Sequence, residues 1–268
     1  MIVKYVSASG EKIRLNGDGI KLREADFYSH KWEEEEIYGK YKFSREPRTY
    51  RTLVEITGER SYKVKKLNDL HRIAENDTLS GKEGRLYYGE QYLNCNMCEA
   101  TSEPAESLIG VLKEIIFFTK DPVWIKEDHY DFWANDAYAG GSKKYAYRYP
   151  YRYSNGLTGD YLINEHFDKV DFKMVIFGPV VNPLVIIGGH KYQVNILLES
   201  GEHLELDSEK GTVIKVMNSG QIVNAFHNRE TSSDPFAPII PGRHSVEWTG
   251  KFDWNITLYA KRSEPEWQ

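Results

Sequence analysis

The sequence is poor in cysteine, and this limits the chemistry that it can support. Its 268 residues include only Cys95 and Cys98, which form one Cys-x-x-Cys pair. A structural zinc site needs two more ligands at matching spacing, and no second pair exists. A thioredoxin-type site needs a βαβ context, which residues 92–98 do not suggest. Strand-like alternation over 91–98 places the two sulfurs on opposite faces, so we predict thiols without a metal, cofactor or redox role.

Long apolar runs and an excess of basic residues are also missing. No apolar stretch approaches the roughly 20 residues that span a bilayer. The N-terminus lacks the basic start and apolar core of a secretory signal, and we expect it to form the first strand. A formal net charge of −5 gives no electrostatic case for nucleic-acid binding. We therefore predict neither a membrane protein nor a nucleic-acid-binding protein.

Catalytic motifs are absent as well. The sequence has no Gly-x-Ser-x-Gly elbow, Walker loop or dinucleotide fingerprint. Four carboxylates of the second half could be paired on paper as in a glycosidase: Glu199, Glu202, Glu205 and Asp207. Exposed, alternating carboxylates are the default on a strand, so we assign them no catalysis.

The eight histidines do not cluster in the sequence. Four of them lie in different predicted strands or loops: His190, His203, His227 and His244. No His-x-His or His-x-x-x-His occurs, so we expect solvated or hydrogen-bonded imidazoles. We predict no catalytic, cofactor-binding or metal-binding residue, and a protein that is not an enzyme.

Aromatic residues are abundant, at 13% of the chain with 19 tyrosines and 6 tryptophans. Such a composition favours a mainly β protein with large buried contacts. Alternation predicts strands in the first half at 2–6, 12–15, 40–43 and 51–57. The charge run Glu33–Glu36 lacks calcium-loop spacing and indicates a solvated edge or loop.

One segment of the first half has a helical period. Leu67, Leu70 and Ile73 recur three apart and predict a helix over 65–74, ended by Asn76-Asp77. A hairpin turning at Gly89-Glu90 is predicted to follow. Residues 108–118 fit either a helix or a strand, and their β-branched and aromatic side chains favour the strand.

A polar, glycine-rich stretch at 139–144 predicts a domain boundary. We predict an N-terminal domain at 1–138, a linker at 139–153 and a C-terminal domain at 154–268. The linker's Tyr147–Tyr153 segment could imitate a nucleic-acid stacking platform, but packing between domains or subunits is favoured. Strands are predicted beyond it at 170–177, 184–187, 191–198, 203–207 and 212–217, with a polar loop at 228–241. Many short strands indicate a sandwich or barrel.

The last thirty residues predict a closing hairpin. Val246 and Trp248 alternate with polar residues, as do Trp254, Ile256 and Leu258, and Gly250 turns between them. Trp248 and Trp254 could stack on a sugar, but their place in alternating strands favours the core.

This end, from Pro241-Gly242 to a closing Arg-Ser-Glu-Pro-x-Trp, resembles the C-terminus of phage distal tail proteins (Dit) from Gram-positive hosts. Similar motifs are Gly178-Pro179, Asn182-Pro183 and a Gly-Gly-His followed by Tyr-x-Val-Asn at 188–195. These motifs are specific taken together and weak singly.

The resemblance implies a tail-tube-like β-barrel or sandwich with one helix at the N-terminus, and a galectin-like β-sandwich at the C-terminus. It implies a virion structural protein of a phage or prophage, with six copies in a hexameric ring. That ring would join the tail tube to the tip or baseplate protein around the tape measure. Glu33–Glu36 and the Cys95/Cys98 pair are not family features. The alternative is a carbohydrate-binding β-sandwich protein, although the sequence shows no clustered sugar-binding aromatics.

Overall fold

The computed structural model describes residues 1–102, 110–134 and 158–267. The contacts between residues divide the chain into two compact units. Unit 1 comprises Met1–Lys126 with Lys261–Gln268, and unit 2 comprises Glu127–Ala260. The first unit therefore ends earlier than the predicted domain 1–138, and it also takes the end of the chain. The predicted linker, with Tyr147–Tyr153, lies outside the described residues.

Unit 1 is built from antiparallel strands and one long helix. Its elements are β1 (Val3–Val6), β2 (Lys12–Arg14), β3 (Ile20–Ala25), β4 (Glu33–Ile37), β5 (Lys40–Ser44), β6 (Arg48–Thr57), α1 (Arg60–Ser80), β7 (Gly84–Tyr88), β8 (Gln91–Ser102), β9 (Gly110–Thr119) and the start of β10 (Trp124–Phe132). The predicted strand at 108–118 is thus confirmed as β9.

Two sheets of unit 1 share strand β8. One sheet has the order β2-β1-β7-β8, and the other has the order β3-β6-β9-β8. β8 pairs with β7 up to Cys95 and with β9 from Asn96 onward, with a bulge between Met97 and Glu99. Bulges bend a strand, which allows one strand to serve both sheets. The core contains side chains of both, including Tyr5 and Phe117, whose rings are 5.7 Å apart.

The helix is longer than predicted, and the predicted end at Asn76-Asp77 is wrong. α1 runs to Ser80 and is capped by Gly81 in the left-handed conformation. Asp77 lies inside the helix with its carboxylate buried, where it accepts hydrogen bonds from the Tyr5 hydroxyl at 2.7 Å and the Ala8 N–H at 3.0 Å. Aspartate is more common at helix ends than inside helices, but in this helix Asp77 connects α1 to β1 through its hydrogen bond with Tyr5.

The end of the chain packs in unit 1. Glu264 lies 2.6 Å from His30, and the N–H of Glu266 donates to the Gln91 side chain at 3.1 Å. Trp267 stacks on Tyr28 with ring centroids 3.9 Å apart. The closing Arg-Ser-Glu-Pro-x-Trp segment therefore follows the last strand with a set of specific contacts.

Unit 2 contains two larger antiparallel sheets and the short antiparallel pair of Val180–Val181 with Leu197–Leu198. Its strands after β10 are β11 (Thr158–Asn164), β12 (Asp171–Phe177), β13 (Val180–Val181), β14 (Leu184–Ile187), β15 (His190–Gln193), β16 (Leu197–Leu198), β17 (His203–Asp207), β18 (Thr212–Val216), β19 (Ile222–Asn224), β20 (Gly242–Trp248) and β21 (Trp254–Arg262). The sheets β19-β18-β17-β12-β21 and β11-β20-β14-β15 both contribute side chains to one core. This is a β-sandwich, and with α1 it confirms the mainly β fold with one α-helix in the described residues.

The two tryptophans of the closing hairpin are buried in this core. Trp248 and Trp254 lie with their ring centroids 6.0 Å apart, and Phe132 stacks on Trp254 at 4.2 Å. The core prediction for both is confirmed. The single strand predicted at 191–198 is wrong, because Asn195 leaves the ladder and its N–H donates to the Asn228 carbonyl at 2.6 Å. Among the described residues, no helix has the length and apolar character needed to cross a membrane.

Candidate assembly surface

The β4–β5 hairpin of unit 1 exposes large apolar side chains. Its strands are joined by Tyr38-Gly39, which both have positive φ (51° and 72°), as a type I′ turn requires. In the described part of the chain, β4 and β5 pair only with each other. The exposed side chains include Tyr38, Tyr41 at 64% exposure and Phe43 at 58%. Contiguous exposed apolar side chains of this kind mark interaction sites.

The pairing register gives the hairpin two different faces. Glu34 lies opposite Phe43 and Glu36 opposite Tyr41, so these four side chains share one face. We call these four residues the acidic-aromatic face. The other face is compensated in charge, because Glu35 lies opposite Lys42 and Lys40 lies beside it. The acidic-aromatic face has no cation across the strands and therefore suits a basic, partly apolar partner.

A surface of the opposite charge lies on α1 of the same unit. The first two turns of α1 carry Arg60, Lys63, Lys65 and Lys66 and no carboxylate. Arg60 and Lys65 are exposed, and so is the apolar Val64 that lies between them in the sequence. These cations and the apolar Val64 are complementary in charge and polarity to the acidic-aromatic face.

The structure confirms that the charge run Glu33–Glu36 is solvated. All four glutamates belong to β4, at an edge with no further strand beside it in the described residues. The sequence left open whether this segment is a strand edge or a loop, and it is a strand. Only the pairing register of β4 with β5 shows that these glutamates lie on two different faces of a hairpin.

The four carboxylates weighed for catalysis do not form a facing pair. Glu202 is buried and lies 2.6 Å from the Lys215 ammonium group, whose hydrogen bond holds the pKa of Glu202 below its ordinary value. Glu205 lies 3.1 Å from Lys173, and Asp207 lies 3.1 Å from Lys210. Glu199 contributes its backbone N–H to Glu202 at 2.7 Å. Glu202, Glu205 and Asp207 are thus each paired with a different lysine, which is an arrangement that stabilises the fold.

Two of the four histidines lie closer together than the sequence indicates. His190 and His244 both line a pocket of about 230 Å³ in unit 2. Each imidazole is hydrogen-bonded to a backbone carbonyl. His190 Nε2 lies 2.7 Å from the Asp234 carbonyl oxygen, and His244 Nε2 lies 2.8 Å from the Ile240 carbonyl oxygen. His203 lies 3.6 Å from Glu205, and His227 packs edge-on to Phe226. In the described residues, no group of three or more His, Cys, Asp or Glu could hold a metal ion.

The two cysteines of β8 differ in exposure. Cys95 is fully buried, and burial raises the pKa of its thiol far above the ordinary value. Cys98 is exposed, and its thiol donates to the Ile116 carbonyl at 3.4 Å. Both are free thiols.

Comparison with solved structures finds this fold in phage tail proteins. The chain aligns with the Dit protein (gp 19.1) of phage SPP1 with a TM-score of 0.57 and 11% identity, covering 98% of this chain and 100% of that one. That protein is described as a paradigm of the hub of the adsorption apparatus in phages that infect Gram-positive bacteria.

Two further alignments are with chains of the activated phage P2 baseplate. The structure with calcium gives a TM-score of 0.57 and 14% identity, covering 99% of this chain and 100% of that one. The structure with strontium gives 0.59 and 13%, covering 98% and 99%. No protein-family model and no curated protein matches the chain. The chain thus has the fold of the SPP1 Dit protein over its whole length, as the resemblance predicted, and at these identities the likeness concerns the fold.

Proposed function

We propose that this protein is the structural hub of a phage tail tip or baseplate, a virion protein made in the host cytoplasm. The observation that carries the proposal is the whole-chain fold, shared with a protein described as a hub of the adsorption apparatus. Because fold alone does not determine function, a surface for assembly is needed as well. The β4–β5 hairpin supplies one.

In this proposal, copies of the chain close into a ring, a hexamer by resemblance. Exposed strand edges such as those of the hairpin are naturally covered by a neighbour in a ring. The acidic-aromatic face of one copy would contact the basic first turns of α1 in the next copy. Unit 1 would close the ring and dock on the tail tube, and the ring would surround the end of the tape measure and bind the tip protein. No catalysis is required of any residue.

The ring is tested by light scattering of the purified protein at micromolar concentration. We expect a closed oligomer for the unaltered chain, or for the chain together with its tail-tube or tip protein. The double variant Tyr41→Ser/Phe43→Ser removes the apolar part of the acidic-aromatic face and should leave a folded monomer. The matched control, Lys40→Ser/Lys42→Ser, alters the opposite face of the same strand and should still assemble.

A charge exchange tests whether the partner is a second copy. Glu34→Lys/Glu36→Lys should prevent assembly, and adding Arg60→Glu/Lys65→Glu should restore it, because the two charge patterns are then reversed together. Failure of this rescue would reject the contact with α1. It would not reject the ring, which is tested by the light-scattering measurement. A clean monomer of the unaltered chain, alone and with its tail partners, would reject the ring.

The hub function is tested separately by binding. Full-length protein should bind the tip protein encoded beside it, in a gene order with the tape measure upstream. A protein that hydrolyses a glycan, or that binds no tail protein, would contradict the proposal.

A further inference from the structure

The turn of the β4–β5 hairpin carries a side chain that the turn itself does not favour. Tyr38 is fully exposed and has a positive φ of 51°. Asparagine, aspartate and glycine are the usual residues at this position of a type I′ turn, because a bulky side chain is strained there. Within the described part of the chain, the Tyr38 side chain makes no hydrogen bond and no ring contact. A strained, solvent-exposed ring at the tip of a hairpin is explained by a partner that receives it.

A pocket that could receive such a ring lies between α1 and β8 of unit 1. Its volume is about 420 Å³, within the range of about 300–1,000 Å³ that ligand sites occupy. Its apolar lining includes Leu70, Ala74, Met97 and Ala100. Walls of this kind suit a flat aromatic ring.

A buried cation in the same pocket requires a polar partner. Lys113 lines the pocket and is only 9% exposed, on the face of β9 that also carries the core residues Ile115 and Phe117. Its ammonium group donates to the Ser102 hydroxyl at 3.2 Å, and among the described residues it has no carboxylate at ion-pair distance. Burial lowers the pKa of this ammonium group. An ammonium group has three N–H donors, so a hydroxyl oxygen that enters the pocket is an acceptor that Lys113 can use.

The pocket continues the face of α1 that the hairpin is proposed to contact. Val64, His71 and Thr78 are seven residues apart, which is about two helical turns, so they lie on one face of α1. His71 and Thr78 line the pocket, and the half-exposed Val64 precedes it. The distance along the helix from Val64 to His71 is about 10 Å.

The dimensions of the hairpin match this distance. If Phe43 of one copy packs on Val64 of the next, the strand from Phe43 to Lys40 covers about 10 Å along α1. The turn with Tyr38 lies beyond Lys40 and would then stand at the pocket. Glu34, which lies opposite Phe43, would be near the cations of the first turns of α1.

We propose that the pocket between α1 and β8 receives Tyr38 of a second copy of this chain, whose phenol oxygen accepts a hydrogen bond from Lys113. This contact rests on the proposed ring, and it adds the anchor that fixes one subunit against the next. The charges of the acidic-aromatic face orient two subunits, whereas an aromatic ring in a pocket supplies most of the binding energy. The sequence does not predict this contact, because Tyr38 and Lys113 meet only between two chains.

One variant separates docking from a role in the turn. Tyr38→Asn places the preferred Asn-Gly pair in the type I′ turn, so urea unfolding in the monomeric Tyr41→Ser/Phe43→Ser background should show no loss of stability. In the otherwise unaltered chain, Tyr38→Asn removes the anchor. Light scattering over a dilution series should then show assembly only at about tenfold higher concentration or more, under the conditions in which the unaltered chain assembles.

Filling the pocket tests the receiving side. Ala100→Trp places a large ring at the wall of the pocket and should weaken assembly by a similar factor. The matched control, Thr101→Trp, alters the next residue of β8. Thr101 is also exposed and is not among the described residues that line the pocket, so this variant should assemble normally.

Crosslinking identifies the two sides of the contact. Cys98 lines the pocket and is exposed, so a short bis-maleimide should join Tyr38→Cys of one copy to Cys98 of the next. At a concentration at which Tyr38→Cys assembles, we expect covalent oligomers on a denaturing gel. Two controls should stay monomeric on the gel: Tyr38→Cys/Cys98→Ser, and Lys42→Cys on the opposite face of the hairpin.

Three outcomes would overturn the Tyr38 contact while the ring itself stands. One is assembly of Tyr38→Asn at the concentration of the unaltered chain, and another is an equal effect of Ala100→Trp and Thr101→Trp. The third is an assembled ring in which Tyr38→Cys is not joined to Cys98. A monomer of the unaltered chain, alone and with its tail partners, would reject the ring and the contact together.

Discussion

Two antiparallel strand pairs of unit 1 both carry aromatic side chains and are opposite in burial. The β6–β9 pair places Tyr50, Ile56 and Phe117 in the core with no exposed surface. The β4–β5 pair places Tyr41 and Phe43 in solvent. Both pairs contain aromatic residues, and β5 alternates them with lysines as regularly as β6 alternates buried and exposed side chains. Aromatic content therefore predicts that a segment is a strand, but it does not predict whether the strand serves the core.

The difference comes from neighbours and charge. β6 lies between β3 and β9, and its inward side chains pack in the core that unit 1 builds from both sheets and α1. The hairpin has no third strand in the described residues, and Glu34 and Glu36 share its aromatic face. Charged side chains are a usual protection of exposed strand edges. The hairpin's aromatic residues thus contribute little to folding and remain available for a partner.

The largest expected effect comes from one substitution made in both pairs. Tyr50→Ala should lower the free energy of unfolding by about 3–5 kcal/mol, because it empties a fully buried ring position. Tyr41→Ala should change it by no more than about 0.5 kcal/mol, because the ring is mostly in solvent. Urea unfolding of both variants measures the difference. Equal losses would show that the hairpin is part of the folding unit and would remove the basis of the comparison.

The sequence predicted much of this fold and little of either site. Alternation located β6 and the closing hairpin with Trp248 and Trp254, because one buried face imposes a period of two. For β9 the period is ambiguous, and β-branched and aromatic composition favours the strand. Alternation missed strand β10, whose run Lys126–Asp128 carries charge. The predicted helix stopped short because the buried contact of Asp77 is a tertiary feature that local propensity cannot show.

The assembly surface depends on how strands pair, which the sequence pattern alone does not supply. The acidic-aromatic face requires the register of β4 against β5, and Glu33–Glu36 alone indicates only a solvated run.

A medium effect is expected from a buried polar contact of unit 1, compared with an exposed one in the hairpin. Asp77→Ala leaves the Tyr5 hydroxyl and the Ala8 N–H without that acceptor, and we expect a loss of about 1–3 kcal/mol in urea unfolding. Glu35→Ala removes an exposed carboxylate opposite Lys42 and should change stability by about 0.5 kcal/mol or less. A similar small loss for both would mean that Asp77 does not fasten α1.

The buried hydrogen bond between Tyr5 and Asp77 also makes the free energy of unfolding depend on pH. Burial, and next the hydrogen bond to Asp77, raise the pKa of the Tyr5 phenol above its ordinary value of about 10. Above about pH 10 the unfolded chain loses this proton while the folded chain keeps it, so the free energy of unfolding falls as pH rises. Tyr5→Phe should flatten that fall, and Tyr41→Phe in the exposed hairpin should not. An unchanged slope in Tyr5→Phe would contradict the assignment.

The smallest effect on stability is expected at the two cysteines of β8, one buried and one exposed. Cys98 is exposed, so iodoacetamide should modify it in the folded protein. Cys95 is fully buried with its pKa raised by burial, so it should react only after unfolding in urea. Mass spectrometry of the two digests measures both sites. Cys98→Ser should shift stability by no more than about 0.5 kcal/mol. Equal labelling of both thiols in the folded state would show that β8 opens locally. In accessibility to solvent, this strand would then resemble the exposed hairpin more than the core.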